Sequence, residues 1–574
     1  MDTWVWALLL LILALARPAV AQESIAFYDF ARPDLHWYTI DTEHFHIIYH
    51  QDDDGKGSSR TAQVVARIAE EIYGPITGLY QHEPDTRVAI ILKDFEDYSN
   101  GAAYFFDNKI EIWAPSLDTP LRGDHNWLRN VISHEFTHII QVQTAMKMSR
   151  RVPFLYFQLL GYENVRRPDV LYGYPNVIVT YPIAGISNPA WLAEGTAQYQ
   201  RAWLGYDDWD SHRDMLLRTR VLANEQLSLA DMGGFYSHSS LLRETVYNQG
   251  YAFTRYLAGM YGEDVLRRIS VALGEWRNWN VDRAIAEAVG KPASVVYDEW
   301  VASLKASYEQ ETARIFANKV EGRIVEPDGF ANFYPRFSPD GNRLAYTSNR
   351  GEDFSSTSLY IRDLATGKLA RYEIDMGDDA PDLVHTCMMG HRLVRSVDRA
   401  IDWRPDGKTI VYARRRDSPE GHLVADLYEL DLDTRKKTRL TEGQRATSPA
   451  YSPAGRQIAF VQQGDGTTNL ALFDVESEVV RPITAFDDGT QVSDPAWDPT
   501  GSWIYYGRQI GHGRDLYRIR PDGRDDQPVL ATPDDERSPA FDADGRLYFS
   551  SDRTGIFNIY RMTDDGAPEQ LTNV

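Results

Sequence analysis

Five times in the second half of the chain an aromatic residue is followed four positions later by glycine, across a turn-forming sequence. The copies are Phe337-Ser338-Pro339-Asp340-Gly341, Trp403-Arg404-Pro405-Asp406-Gly407, Tyr451-Ser452-Pro453-Ala454-Gly455, Trp497-Asp498-Pro499-Thr500-Gly501 and Phe541-Asp542-Ala543-Asp544-Gly545. Proline and glycine at these offsets reverse the chain. An apolar strand follows each turn, such as Arg343-Leu344-Ala345-Tyr346 or Gln457-Ile458-Ala459-Phe460, and then a second, such as Leu359-Tyr360-Ile361 or Leu427-Tyr428-Glu429-Leu430. The aromatic residues stand 66, 48, 46 and 44 positions apart. Those intervals suit four-stranded propeller blades, each unable to bury its apolar face without a neighbour. The excess in the first interval is assigned to an insertion at about residues 375–397.

The repeat resembles that of TolB-like envelope proteins and of prolyl oligopeptidase propellers, over about residues 321–574. TolB-like propellers usually have six blades against the five marked here. Either one blade lacks the mark or the chain stops before its natural end. Arg323-Ile324-Val325-Glu326 is a candidate strand for closing the ring. Prolyl oligopeptidases pair such a ring with a serine hydrolase, but no Gly-x-Ser-x-Gly elbow occurs in this chain. Gly407-Lys408-Thr409 is a blade turn and not a phosphate loop, because Asp402 occupies the position of the first required glycine.

Chemistry is concentrated in the first half, at His134-Glu135-Phe136-Thr137-His138. On a helix, positions i and i+4 share a face, so both imidazoles can reach one metal ion while Glu135 stands beside them as a base. Trp127, Leu128, Val131, Ile132, Phe136, Ile139, Ile140 and Val142 predict a mostly buried helix over residues 127–142. Two histidines and a glutamate buried in such a helix are costly unless something satisfies them. The alternative is a helix with satisfied polar groups along one exposed stripe.

Downstream, Asn188-Pro189 opens a helix-compatible segment, Trp191-Leu192-Ala193-Glu194-Gly195-Thr196-Ala197-Gln198-Tyr199. It resembles the Trp-x-x-Glu-Gly-x-Ala-x-Tyr helix of gluzincin metallopeptidases. That resemblance implies a zinc ion, one per chain, held by His134, His138 and Glu194. It also implies peptide hydrolysis by a metal-activated water with Glu135 as general base. Tyr247-Asn248-Gln249-Gly250 looks like the Tyr-x-x-Gly helix start of aminopeptidase-type gluzincins, which gives Tyr247 the role of oxyanion donor, with Tyr251 as the fallback. Val88-Ala89-Ile90-Ile91-Leu92 reads as a buried strand, and Lys109–Trp113 as an edge strand that could bind extended peptide by backbone pairing. The alternation at Phe45, Ile47 and Tyr49 suggests the opening strand of the same domain. No Gly-x-Met-Glu-Asn sequence is present. Gly101-Ala102-Ala103 comes nearest and lacks the acid, which favours an endopeptidase over an aminopeptidase.

Between His138 and Glu194 lie 55 residues, more than in those aminopeptidases. They carry Phe154, Tyr156, Phe157, Tyr162, Tyr172, Tyr174 and Tyr181 with Arg150, Arg151, Arg166 and Arg167, and are read as an extra hairpin folded over the domain. A lid or a docking surface is the other reading.

The apolar run at residues 4–16, followed by Ala19-Val20-Ala21, reads as a signal peptide over residues 1–21, too short for an ordinary membrane span. Its start, Met1-Asp2-Thr3, lacks the usual basic residue. The single cysteine, Cys387, excludes an intramolecular disulfide, and a net charge of −23 argues against a nucleic-acid partner.

The expectation is thus a multidomain α+β chain. A mainly helical, zincin-like domain with a small mixed sheet occupies residues 22–318, with an insertion at about 145–187. An all-β propeller follows at 319–574. The protein is expected to be exported, periplasmic or secreted, and associated with the cell envelope. It would act on peptide or protein substrates, with an envelope protein partner at the propeller and no transmembrane span after signal cleavage. The alternative function is an exported propeller scaffold whose peptidase-like domain is structural or inactive.

Overall fold

The computed structural model describes residues 35–51, 58–97, 99–116, 126–151, 155–162, 175–183, 187–235, 238, 240–329, 332–348, 350, 358–374, 400–417, 422–510 and 513–574. Of these, only the backbone is described for 155–162, 175–183, 240–241, 416–417 and 510. The expected signal peptide, the expected insertion at 375–397 and Cys387 lie outside the described residues.

The first half builds a mixed sheet and a set of helices. Strands β1 (His36–Asp41), β2 (Phe45–Gln51), β3 (Val88–Lys93), β4 (Gly101–Tyr104) and β5 (Lys109–Trp113) run in the order β1-β2-β3-β5-β4. β2, β3 and β5 are parallel, and β1 and β4 pair antiparallel at the two edges. The span around Phe45 therefore holds two strands, with β2 burying Phe45 and Ile47. Contrary to expectation, Lys109–Trp113 is not an edge strand, because β5 pairs on both sides and Ile110, Glu111, Ile112 and Trp113 are buried. The period-2 alternation came from a charged residue that is satisfied inside: Lys93 reaches Glu111 at 2.7 Å and Lys109 reaches it at 3.0 Å. The edge strand on this side of the sheet is β4.

Helices α1 (Ser59–Tyr80) and α2 (Trp127–Thr144) cover this sheet through an apolar core that includes Ile68, Ile72, Ile90, Ile112, Ile132, Phe136 and Ile140. A second core, around Trp191, Phe253, Leu257, Ile269 and Trp300, joins α3 (Ala190–Trp203), α4 (Ser211–Leu222), α5 (Ser240–Tyr261), α6 (Val265–Gly274), α7 (Val281–Val289) and α8 (Ala293–Ala317). Between α2 and α3 the predicted extra hairpin is present as β6 (Leu155–Tyr162) paired antiparallel with β7 (Pro175–Ile183).

The second half is a propeller. Described residues form five four-stranded antiparallel sheets, at 332–372, 401–439, 446–482, 492–530 and 536–570. Each marked Gly closes the turn between first and second strands with positive φ, from +67° to +82°. In four blades the first strand carries a second device. Tyr334, Ser448, Asp494 and Ser538 have φ between +47° and +53° at a shift of register, each just before a proline. Proline disfavours the ordinary helical region for its predecessor, and the bulge bends the strand. The segment expected to close the ring, Arg323 to Glu326, forms no strand. Val320 bridges Asn573 instead, and Glu326 turns inward to Arg350 and Arg362.

Only one end of the blades touches the first domain among the described contacts. In an antiparallel four-strand meander, the loops between strands two and three and those between blades lie at the same end. The contacts come from these loops: Leu423, Arg445, Asp465, Asp487, Asp488, Asp552 and Phe557. Three helices present their N-terminal ends to them. Thr61 at the start of α1 donates to Asp465 at 2.6 Å, and Arg60 lies 3.1 Å from Asp487. Asn126, the N-cap of α2, donates to the Asp488 carbonyl at 3.3 Å, and Ser211 of α4 donates to Asp552 at 2.6 Å. Carboxylates at the positive ends of helices are each worth about 0.3–1 kcal/mol.

His212 packs in this interface against Phe557, with Arg213, Asp210, Arg537 and Asp535 around it, and burial pulls its pKa down to about 3. An unfolded histidine takes up a proton below about pH 6.5, whereas the buried one stays neutral, so this group's contribution to stability is lost as pH falls from 6.5 toward 3. We expect this loss at about 1.4 kcal/mol per pH unit. His212→Asn should flatten the dependence of unfolding free energy on pH in that window. A variant curve parallel to the native one would count against it.

Candidate metal centre

The α2 helix holds His134 and His138 on the face turned toward α3, and α3 runs antiparallel to it. Asn130 meets Arg201 near one end of the pair, at 2.6 Å, and Gln141 meets Asn188 near the other, at 3.2 Å. Between these ties Glu194 faces the two histidines. Its Oε2 lies 3.2 Å from His134 Nε2 and 3.3 Å from His138 Nε2, and the two imidazole nitrogens are 3.1 Å apart. The three side chains are 6–14% exposed.

This triangle has the dimensions of a metal site. Zinc bonds of about 2.0–2.1 Å in a tetrahedral arrangement set ligand atoms about 3.3 Å apart. The donor set of two imidazoles and one carboxylate suits zinc and leaves one position open. The residues present therefore fit the ion.

Electrostatics agree with that donor set. Burial pulls His134 down to about 3, against the opposing hydrogen bond from Glu194. Burial also acts to lower His138, but the Glu194 carboxylate outweighs it and holds the ring above its ordinary value. For Glu194, burial is overcome by the two histidines, and the carboxyl lies well below its usual range. For Glu135 burial outweighs the attraction of His138 and pushes the carboxyl up to about 7. At neutral pH the set offers a neutral His134 and a charged Glu194, the forms in which both can ligate a cation.

Neighbouring glycines fix the geometry. A Cβ on Gly195 would strike the Gly250 carbonyl, and one on Gly250 would lie 2.7 Å from the Trp191 carbonyl oxygen. Helices α3 and α5 thus touch backbone to backbone directly behind Glu194. A Cβ on Gly101 would stand 2.5 Å from Glu135 Oε1 and 2.6 Å from Val131, so the edge strand β4 passes beside the general-base candidate. Gly101 is a site residue that the sequence flagged only for its partial likeness to a peptidase strand.

Tyr247 is placed differently from expectation. It lies inside α5, which begins at Ser240, and not at a helix start. Its ring is 7% exposed and stacks on Phe235 with centroids 5.5 Å apart. Tyr251 packs instead near Trp209, Arg213 and Arg255, away from the triad. The aromatic residues of the hairpin have no described side chains. In a second acidic group, Asp207, Asp208 and Asp210, Asp207 is ion-paired with Arg201 and Arg213, and Asp210 with Arg213, which braces α3 against α4. Sequence reasoning passed over Arg201, although its place seven residues after Glu194 puts it on the same helix face.

Comparisons with known proteins bear on the propeller. Residues 391–543 match the family model of the TolB beta propeller domain. An uncharacterized protein of Agrobacterium fabrum is 35% identical over 117 residues, covering 20% of this chain and 38% of that protein. The Tol-Pal system protein TolB of Francisella tularensis subsp. holarctica is 25% identical over 234 residues, covering 36% of this chain and 52% of that protein. The chain spans about half or less of the length of these curated relatives. Among solved structures, TolB from Acinetobacter baumannii gives a TM-score of 0.32 at 18% identity, over 42% of this chain and 53% of its own. Oligogalacturonate lyase in complex with manganese gives 0.30 at 14% identity, over 43% and 66%.

The fold defines a two-part protein in which a helical domain with a mixed sheet precedes a propeller whose described residues form five blades. That propeller is TolB-like.

Proposed function

We propose that the chain is a zinc-dependent peptidase, more suited to internal bonds than to free ends, exported and associated with the cell envelope. The observation that carries this reading is the convergence of His134, His138 and Glu194 within 3.1–3.3 Å of one another, with Glu135 on the same helix. A zinc ion bound there would supply a Lewis acid to water and to a peptide carbonyl. Glu135 takes the proton from the attacking water and passes it to the leaving amine. β4 is an edge strand beside Glu135, the kind of element on which an extended peptide can add as a strand. Tyr247 is the proposed oxyanion donor.

A second reading rests on the propeller. A match to the TolB beta propeller domain supports an envelope binding platform, with an envelope protein as partner and a helical domain that is structural. No described helix is long and apolar enough to cross a membrane.

Metal analysis of the purified protein separates the two. The peptidase reading expects about one zinc per chain, and loss of it in His134→Ala and in Glu194→Ala. Native protein free of zinc, and unable to bind it when zinc is supplied, would favour the platform.

A further inference from the structure

The segment between β3 and β4 leaves the first domain and enters the propeller. Asp97 N–H donates to the Leu423 carbonyl at 2.8 Å and Leu423 N–H donates to the Phe95 carbonyl at 2.9 Å, with Glu96 and Leu423 forming a parallel bridge. This is a short piece of sheet between domains, joined to the second blade. Side chains lock it. Arg445 Nε donates to Asp97 Oδ1 at 2.6 Å and its Nη1 to Asp94 Oδ1 at 2.7 Å. Asp97 Oδ2 accepts from Ala425 N–H at 2.8 Å, and its carbonyl accepts from Arg415 at 2.9 Å. The three charged groups are 8–18% exposed.

The site edge begins just beyond this clamp. Four residues after Asp97 comes Gly101, where an added Cβ would stand 2.5 Å from Glu135 Oε1. Ser99 donates to the Pro115 carbonyl at 2.8 Å, and Trp113 N–H donates to the Asn100 carbonyl at 3.0 Å, which ties the segment to the far end of β5. A strand this short, held by a propeller at one end and by β5 along one side, takes its position from both.

We propose that the Arg445 clamp on Asp94 and Asp97 makes the propeller a positioning element for the β4 edge, so that productive seating of an extended peptide beside Glu135 depends on propeller docking. The proposal rests on the peptidase reading for its substrate and on the interface geometry for its mechanism. Arg445, Asp94 and Asp97 act through β4 and are positioning residues. Buried ion pairs are poor sources of stability but good sources of register. Removing the arginine leaves two carboxylates buried without their cation, which drives the segment out toward water.

The test uses the full chain. In Arg445→Gln, hydrogen exchange at residues 99–104 should accelerate by about tenfold or more, while helix Trp127–Thr144 keeps its protection and zinc content is unchanged. With fluorescein-labelled casein as the probe, KM should rise by about fivefold or more with kcat within about twofold, since seating and not chemistry is disturbed. Asp97→Asn, which keeps shape and the backbone pairing, should give the same pattern in weaker form. Unchanged exchange at 99–104 overturns the proposal. So does faster exchange spread evenly over the whole domain, and so does a fall in kcat with KM unchanged. If native protein fails to hydrolyse casein, the peptidase reading fails, and the exchange pattern alone decides whether the clamp positions β4.

Discussion

Glu135→Gln should lower peptide hydrolysis by about 10²–10⁴-fold while leaving zinc content and thermal stability close to native. The amide has the shape of the carboxylate and can still accept a hydrogen bond, but it cannot take a proton from water. Glu135 is not among the three converging ligands, so metal retention is expected. Its buried carboxyl, with a pKa near 7, is also a cost to the folded state that the neutral amide removes. The variant should therefore melt no lower than the native protein. Steady-state hydrolysis with metal content on the same preparation checks this, and activity within about threefold of native would remove Glu135 from the mechanism.

Gly195→Val should destabilise the helical core by about 3–5 kcal/mol, at the upper end of overpacking penalties, and should lower zinc occupancy as well. Both neighbours of the new side chain are backbone atoms of α5, which cannot rotate away. The two helices must separate, and Glu194 is carried with them. Gly78→Ala is the matched control. It lies in α1, with nothing within 4 Å of the added methyl group, and should stabilise by about 0.5–1 kcal/mol. Denaturant melts of both variants, beside metal analysis, test the contrast. Equal effects from the two substitutions would mean that close helix contact does not set the site.

The parts of this molecule legible in sequence are those governed by local pattern. The α2 helix announced itself through apolar spacing, and it extends two residues past the predicted end at Val142. Glu194 was singled out only through the likeness of residues 191–199 to a known peptidase helix, since a lone glutamate on a helix carries no signal of its own. Five blades were visible because each repeats a turn with a fixed glycine. Position in a sheet was not legible. Lys109–Trp113 alternates as an edge strand does, yet its charged member is paired internally with Lys93, a residue 18 positions away on another strand. Strand order depends on such distant pairing, and alternation alone cannot report it. The ring closure failed for a related reason: Val320 meets Asn573 across the whole length of the propeller. Arg445 gave no local sign of its role, since its partners Asp94 and Asp97 lie about 350 positions earlier.

The helix starts that face the propeller bear on how the chain acquires its structure. The leading ends of α1, α2 and α4 are complete in sequence by Ser211, whereas the groups that meet them, the Asp465 and Asp552 carboxylates and the Asp488 carbonyl, are made much later. On a ribosome the first domain would emerge and collapse long before those acids exist, leaving three positive helix ends and the Asp97 segment bare until several blades have formed. Docking then follows the collapse of the first domain, and the site acquires its finished edge only once the chain has been made as far as Arg445.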